Sequence, residues 1–139
     1  LDLVNGMFEA YDRGHYTAVL VDEDNNVLEG PGFNIFSLDE NGLKTPKFGV
    51  LEGITRQTAI RLASELDIPV QEQSIGTEEF IKSREAFATS TAGGIIPITK
   101  INGRKINNGQ IGKITSQLKD LYWEKHADPS WSESVDELI

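Results

Sequence analysis

The chain has 139 residues, of which 38% are hydrophobic and 25% charged, the size and composition of one globular domain. Its net charge of −9 disfavours nucleic-acid partners, because an acidic surface repels phosphate backbones, and no apolar run approaches the ~20 residues of a membrane helix. The absence of cysteine excludes disulfides, thiol nucleophiles and cysteine-bound metal centres, and two widely separated histidines, His15 and His126, exclude a multi-histidine metal site within the chain.

In chain order, residues 2–13 read as a helix, with Leu3, Met7, Ala10 and Tyr11 at three- and four-residue spacing and Gly14 as its stop. Residues 17–21 read as a buried strand, 22–26 as a polar turn and 27–29 as a short strand broken by Gly30-Pro31-Gly32. Residues 34–38 form a further strand. Asn41-Gly42 turns it into 43–45, completing an expected small antiparallel meander. After a loop over 46–53, residues 55–66 carry the clearest amphipathic pattern, with Ala59, Leu62, Ala63 and Leu66 on one helix face. A strand is expected over 68–73 and a short helix capped by Thr77 follows. Strands at 86–89 and 95–101 then flank the run Thr89-Ser90-Thr91-Ala92-Gly93-Gly94. A turn at Asn102-Gly103, a partner strand at 104–106 and a final helix over 112–125 complete a mixed α/β domain. Residues 1–127 form that domain, and 128–139 are an acidic tail that orders only by docking.

Three segments carry unusual local chemistry. In Glu29-Gly30-Pro31-Gly32-Phe33-Asn34 a carboxylate precedes glycines at a strand break, where backbone can approach a ligand; taken alone, Glu29 also fits a solvated turn acid. In Leu51-Glu52-Gly53-Ile54-Thr55-Arg56 a glycine stands directly before a helix, whose first amides are unpaired and suit an anion. Thr55 can offer its hydroxyl to a phosphate there, or serve only as the helix cap. In Thr89 to Gly94, three hydroxyls and two glycines either face a ligand or form a tight turn.

Together these segments resemble the large, C-terminal domain of the fold-type IV pyridoxal-phosphate enzymes, which include branched-chain and D-amino-acid aminotransferases. The resemblance runs from Asp2 to Trp123 and is most similar to the (R)-selective amine transaminases. It is carried by the stretch from Gly6 to Gly14, Gly32-Phe33-Asn34-Ile35, Gly49-Val50-Leu51, the stretch from Thr91 to Thr99, and that from Gly109 to Thr115. It implies pyridoxal 5'-phosphate as cofactor. Glu29 would pair with the pyridine nitrogen, Leu51 pack on the ring, and Ile54, Thr55 and Thr91 hold the phosphate. Asn34 would support the cofactor, and Thr91 and Ala92 face the substrate. It further implies ping-pong amino-group transfer from a primary amine, an (R)-amine in the first instance, or an amino acid to a keto acid such as pyruvate. The enzyme would be a cytoplasmic homodimer. A branched-chain or D-amino-acid aminotransferase, an aminodeoxychorismate-lyase-like enzyme, and a noncatalytic assembly module are the alternatives.

The sequence departs from the family pattern at several points. Pro31 stands where serine or alanine is usual, and the stretch from Thr45 to Leu51 is slightly short. Branched-chain members read threonine-alanine-alanine-glutamate where this chain has Thr91-Ala92-Gly93-Gly94. None of the eight lysines matches the catalytic position. The resemblance places that lysine, and a small N-terminal domain, upstream of Asp2, so this chain reads as a piece of a longer protein that does not transaminate by itself.

Overall fold

The computed structural model describes residues 2–135. The elements in order are α1 (Asp2–Asp12), β1 (Asn26–Val27), β2 (Asn34–Asp39), β3 (Gly42–Thr45), α2 (Ile54–Glu65), β4 (Val70–Glu72), β5 (Ile75–Gly76), α3 (Thr77–Ile81), β6 (Glu85–Ser90), β7 (Gly94–Ile98), β8 (Lys100–Ile101), β9 (Arg104–Lys105) and α4 (Lys113–Glu124). This is the expected mixed fold. Among the described residues, no helix is long and apolar enough to cross a membrane.

A five-stranded sheet in the order β4-β3-β2-β6-β7 forms the centre. All its pairings are antiparallel except β3 with β4. Its middle strands carry continuous runs of buried residues, as strands covered on both faces must. Side chains alternate between faces, and residues directly opposite one another share a face. On one face Phe36 stacks on its cross-strand partner Phe87, ring centroids 4.7 Å apart. They join Leu38, Leu43 and Ile95 in a core closed by Ala59, Leu62 and Ala63 of α2 and Leu118 of α4. On the other face Ile35 and Ala86 pack with Val27, Ile75, Phe80 and Ile106. Of the α2 face read from the sequence, Ala59, Leu62 and Ala63 are buried against the sheet, while Leu66 falls just past the helix end and is exposed.

Several local expectations are corrected. Residues 17–21 do not form a buried strand. They run extended beneath α1, with an isolated bridge from Val21 to Val27, and Thr17 and Val21 are exposed. Only the short segment after the polar turn pairs with them: Leu20 N–H donates to Glu29 O and Leu28 N–H to Leu20 O. The meander is also incomplete, since β1 pairs with β5 and not with β2. The hairpin between β2 and β3 turns on Glu40-Asn41, because Asp39 lies opposite Gly42. Gly42 (φ +121°) is instead needed where the chain passes Pro69: an added Cβ would lie 2.5 Å from the Pro69 carbonyl oxygen. Thr77 is the first residue of α3, not its cap. Its hydroxyl reaches back to Asn25, donating to the backbone O at 2.8 Å. The strand expected over 95–101 breaks at Thr99, whose carbonyl accepts from Ile106 N–H. The tail does dock: Trp131 packs on the core beneath Arg61, whose guanidinium carbon lies 3.7 Å from the ring centroid. Residues 136–139 of the tail lie outside the described residues.

The N-terminus of α4 is closed by the sheet itself. Glu85 Oε2 accepts from Thr115 N–H and Thr115 Oγ1, both at 2.8 Å, and Oε1 accepts from Ile114 N–H at 3.2 Å. Gly112 makes room for this, since an added Cβ would fall 1.9 Å from the Glu85 carboxyl carbon. Glu85→Ala should therefore lower the unfolding free energy by about 2 kcal/mol, read from urea denaturation, because three donors at a half-buried helix end lose their acceptor.

At the far edge, Lys44 bonds to Asp39 at 2.7 Å and to Glu79. The Lys44 side chain, with the Asn41 amide, holds the Asp39 carboxyl below its ordinary value of 3.8, and Asp39 in turn raises Lys44. A lowered carboxylate contributes stability above its unfolded pKa and loses it as pH falls through the folded one. Asp39→Asn should thus lower the melting temperature at pH 7, and the difference from wild type should vanish as pH drops below about 4.

Candidate functional site

A cleft of about 180 Å³ opens at the end of the central sheet that holds the N-termini of α2 and β2. Four segments meet there. The turn between residues 29 and 34 brings Glu29, Gly30, Gly32, Phe33 and Asn34. The loop entering α2 brings Leu51, Gly53, Ile54 and Thr55; the end of β6 brings Thr89, Ser90 and Thr91; and Leu3 of α1 closes one side.

The turn is tight for a reason legible in its residues. Gly30 and Phe33 exchange backbone hydrogen bonds across Pro31-Gly32, with Gly32 at φ +80°. Proline followed by a left-handed glycine is the type II arrangement, so Pro31 fits the turn it stands in. Gly30 has no room for a side chain, since an added Cβ would meet the Phe33 ring at 2.0 Å.

Asn34 ties this turn to the α2 loop. Its Nδ2 donates to Leu51 O at 2.7 Å and to Glu29 Oε2 at 3.2 Å, while Leu51 N–H donates to the same Oε2 at 2.9 Å. Glu29 is therefore not a solvated turn acid. One carboxylate oxygen is held by the protein, and among the described residues no hydrogen bond reaches Oε1. Gly53 precedes α2 at φ +60°, and a Cβ there would lie 2.2 Å from Asn34 Oδ1.

Gly53 is the N-cap of α2, and no side chain caps the helix. Thr55 is the second helical residue, so capping is not its role. Gly53, Ile54 and Thr55 line the cleft, and the first amides of a helix lack an intrahelical acceptor and carry the positive end of its dipole. The helix start is held rigidly from behind. Arg56 is 2% exposed, and its guanidinium donates to Thr45 Oγ1 (3.3 Å), Pro46 O (3.0 Å) and Glu72 Oε1 (2.7 Å). Thr45 Oγ1 in turn donates to Ile35 O at 2.8 Å. Leu51 and Ile54 project outward, 74% and 87% exposed, as apolar side chains at the cleft mouth.

Of the residues singled out from the sequence, Glu29, Asn34, Leu51, Ile54, Thr55 and Thr91 line this one cleft, and Ala92 does not. Ala92 sits on the turn just beyond Thr91, where Gly93 N–H donates to Ser90 Oγ at 3.0 Å. The sequence names Thr89 among the three hydroxyls of this run but gives a specific role only to Thr91. The available signal for Thr89 is a threonine ending the apolar strand Ala86-Phe87-Ala88. Gly94 has φ +65°, and a Cβ there would lie 2.5 Å from the Tyr122 ring of α4. No lysine lines the cleft, and no cluster of metal-ligating side chains occurs among the described residues.

The family model described as amino-transferase class IV matches residues 1–101. The chain is 37% identical over 117 residues to the branched-chain-amino-acid aminotransferase of Pseudomonas aeruginosa, covering 84% of this chain and 38% of that protein. It superposes with a TM-score of 0.87 on a T.th. branched-chain amino acid aminotransferase complexed with N-(5'-phosphopyridoxyl)-L-glutamate, at 30% identity, covering 94% of this chain and 45% of that one. The branched-chain aminotransferase of Thermoproteus uzoniensis with norvaline matches at 36% identity and a TM-score of 0.86, over 94% of this chain and 44% of that one. The chain thus spans less than half the length of these relatives.

Asn34→Ala should release both Glu29 and the loop before α2. Hydrogen exchange at the Leu51 amide should speed up by about tenfold or more, with an overall loss of about 1–2 kcal/mol. Unchanged protection of Leu51 would show that the loop is held by other contacts.

Proposed function

The chain belongs to the class IV amino-transferase family, and from that premise we propose that its cleft binds pyridoxal 5'-phosphate for amino-group transfer between an amino acid and a 2-keto acid. The observation that carries the reading is the Glu29–Asn34–Leu51 lock beside the uncapped start of α2. It sets a fixed carboxylate oxygen and an anion-favouring helix end in one cleft, and a phosphorylated pyridine needs both. The donor set fits the group: Glu29 Oε1 for the ring nitrogen, the amides of Ile54 and Thr55 with the hydroxyls of Thr55 and Thr91 for the phosphate, and Leu51 against the ring face.

When bound, the cofactor supplies an electron sink for the substrate's α-carbon. This chain's residues bind, orient and hold protons. Glu29 keeps a proton on the ring nitrogen, Asn34 keeps Glu29 pointed inward, and the helix start anchors the phosphate end. The lysine that anchors the cofactor covalently is proposed to come from outside this chain. The chain alone is accordingly expected to show no single stoichiometrically labelled lysine after incubation with pyridoxal phosphate and borohydride. Association as a homodimer would cover the apolar side chains of Val4, Phe8 and Tyr11 that α1 exposes.

The similar proteins are named as branched-chain aminotransferases, so branched aliphatic amino acids are the proposed donors. A second reading, an (R)-amine donor, rests on the sequence resemblance, which Gly94 helps to carry. Branched-chain members read a glutamate at this place, whereas here an added Cβ would lie 2.5 Å from the Tyr122 ring. A donor panel on the full-length protein with pyridoxal phosphate decides between them. Turnover of leucine, isoleucine and valine supports the first reading, and turnover of (R)-1-phenylethylamine with pyruvate supports the second. In either case Glu29→Gln should lower kcat on the order of 100-fold while phosphate anchoring persists. Unchanged kcat would remove Glu29 from the mechanism.

A further inference from the structure

The buried hydroxyl of Thr89, one of the three in the run from Thr89 to Gly94, has no role assigned in the cleft so far. Thr89 is 2% exposed, and its Oγ1 is the buried side-chain polar atom without a hydrogen-bond partner among the described residues. It lies in the wall of the cleft. Its position follows from strand pairing: Thr89 stands directly opposite Asn34, so both side chains leave the sheet on the face that carries α2. Asn34 is the residue whose Oδ1 crowds Gly53, the N-cap of α2. Thr89 is thereby placed at the helix end where the amides are uncapped.

A buried hydroxyl without a partner is destabilising, and native structures keep few of them. The comparison with α4 sharpens the point. There the sheet supplies Glu85 to the helix amides, two cross-strand rows away on the same face. At α2 the corresponding end of the sheet supplies no carboxylate, and the Thr89 hydroxyl there has no partner among the described residues. A hydroxyl donor and amide donors facing one space call for an acceptor with several oxygens.

We propose that Thr89 Oγ donates a hydrogen bond to the phosphate of the bound cofactor, as a binding group additional to Thr55 and Thr91. The proposal rests on the pyridoxal-phosphate reading of the cleft. It differs from a packing role in one respect. A hydroxyl that serves only the ligand contributes nothing to the ligand-free fold, so removing it leaves that fold as stable as before or slightly more so.

The test uses the full-length protein, ligand-free, with pyridoxamine 5'-phosphate as a ligand that needs no covalent link. Thr89→Val, an isosteric change, should weaken pyridoxamine 5'-phosphate binding by about 10- to 100-fold, the range for one hydrogen bond to a charged group. Thr89→Ser should stay within about threefold of wild type, because it keeps the donor. Pyridoxamine, which lacks the phosphate, should bind wild type and Thr89→Val equally. The ligand-free melting temperature of Thr89→Val should equal or exceed that of wild type. Equal pyridoxamine 5'-phosphate affinity in wild type and Thr89→Val would overturn the assignment while leaving the cleft's reading intact. A loss shared by pyridoxamine, or a melting temperature that falls with affinity, would overturn it in favour of a ring contact or a packing role. Folded wild-type protein that binds no pyridoxamine 5'-phosphate would bring down the reading of the cleft, and this proposal with it.

Discussion

The pairing of β2 with β6 in one register is the constraint on which the domain depends. With Phe36 opposite Phe87, three cross-strand pairs line up on the helix-bearing face: Leu38 with Glu85, Phe36 with Phe87, and Asn34 with Thr89. The aromatic stack in the middle anchors α2 and α4 through one hydrophobic core. The polar residues at either end of the row meet the two helix starts. A slip of β2 by one residue would put Phe36 and Asn34 on the face opposite Phe87 and Thr89, removing core and cleft together. Burial of the stacked pair is therefore also what positions the site.

The two helix starts receive opposite treatment from the same sheet. At α4 the protein supplies its own carboxylate, Glu85, and the amides are satisfied in the ligand-free fold. At α2 the side-chain cap is missing, the N-cap is a glycine at positive φ, and the neighbouring buried hydroxyl has no partner. Stability not taken up locally is characteristic of binding sites, where the missing partner arrives with the ligand. Arg56 makes this sustainable. Its buried guanidinium joins the first turn of α2 to β3, β4 and the loop between β3 and α2, so the helix start keeps its place whether or not an anion is present.

Apolar groups left uncovered at the cleft mouth point the same way. Leu51 and Ile54 stand at the edge of a cleft that Glu29, Asn34, Thr55 and Thr89 also line, and α1 exposes Val4, Phe8 and Tyr11 at helical spacing. Apolar side chains grouped on one helix face mark a surface that meets something else. It agrees with a chain that spans less than half the length of its relatives.

The helices, the strands of the central sheet and the grouping of ligand-facing segments are legible in the amino-acid order, because they depend on local periodicity and on glycines before helix starts. The Ala59, Leu62 and Ala63 face of α2 and the stop at Gly14 are of this kind. Glu29, Asn34 and Thr55 emerge as neighbours too, by resemblance and not by spacing. The hairpin pairings of β2 with β3 and β8 with β9 are legible from their turns, but which distant strands pair is a property of the folded chain. β1 joins β5 and residues 17–21 stay half-exposed, since pairing partners far apart in sequence leave no local mark. The same holds for side chains whose roles depend on what lies across a strand or beneath a helix. Thr77 turns to Asn25, Glu85 closes α4, Trp131 draws the tail onto the core, and Gly94 yields to Tyr122. Thr89 shows the reason most directly: a threonine at a strand end reads the same whether its hydroxyl is satisfied or not, and only its neighbours in three dimensions leave it without a partner.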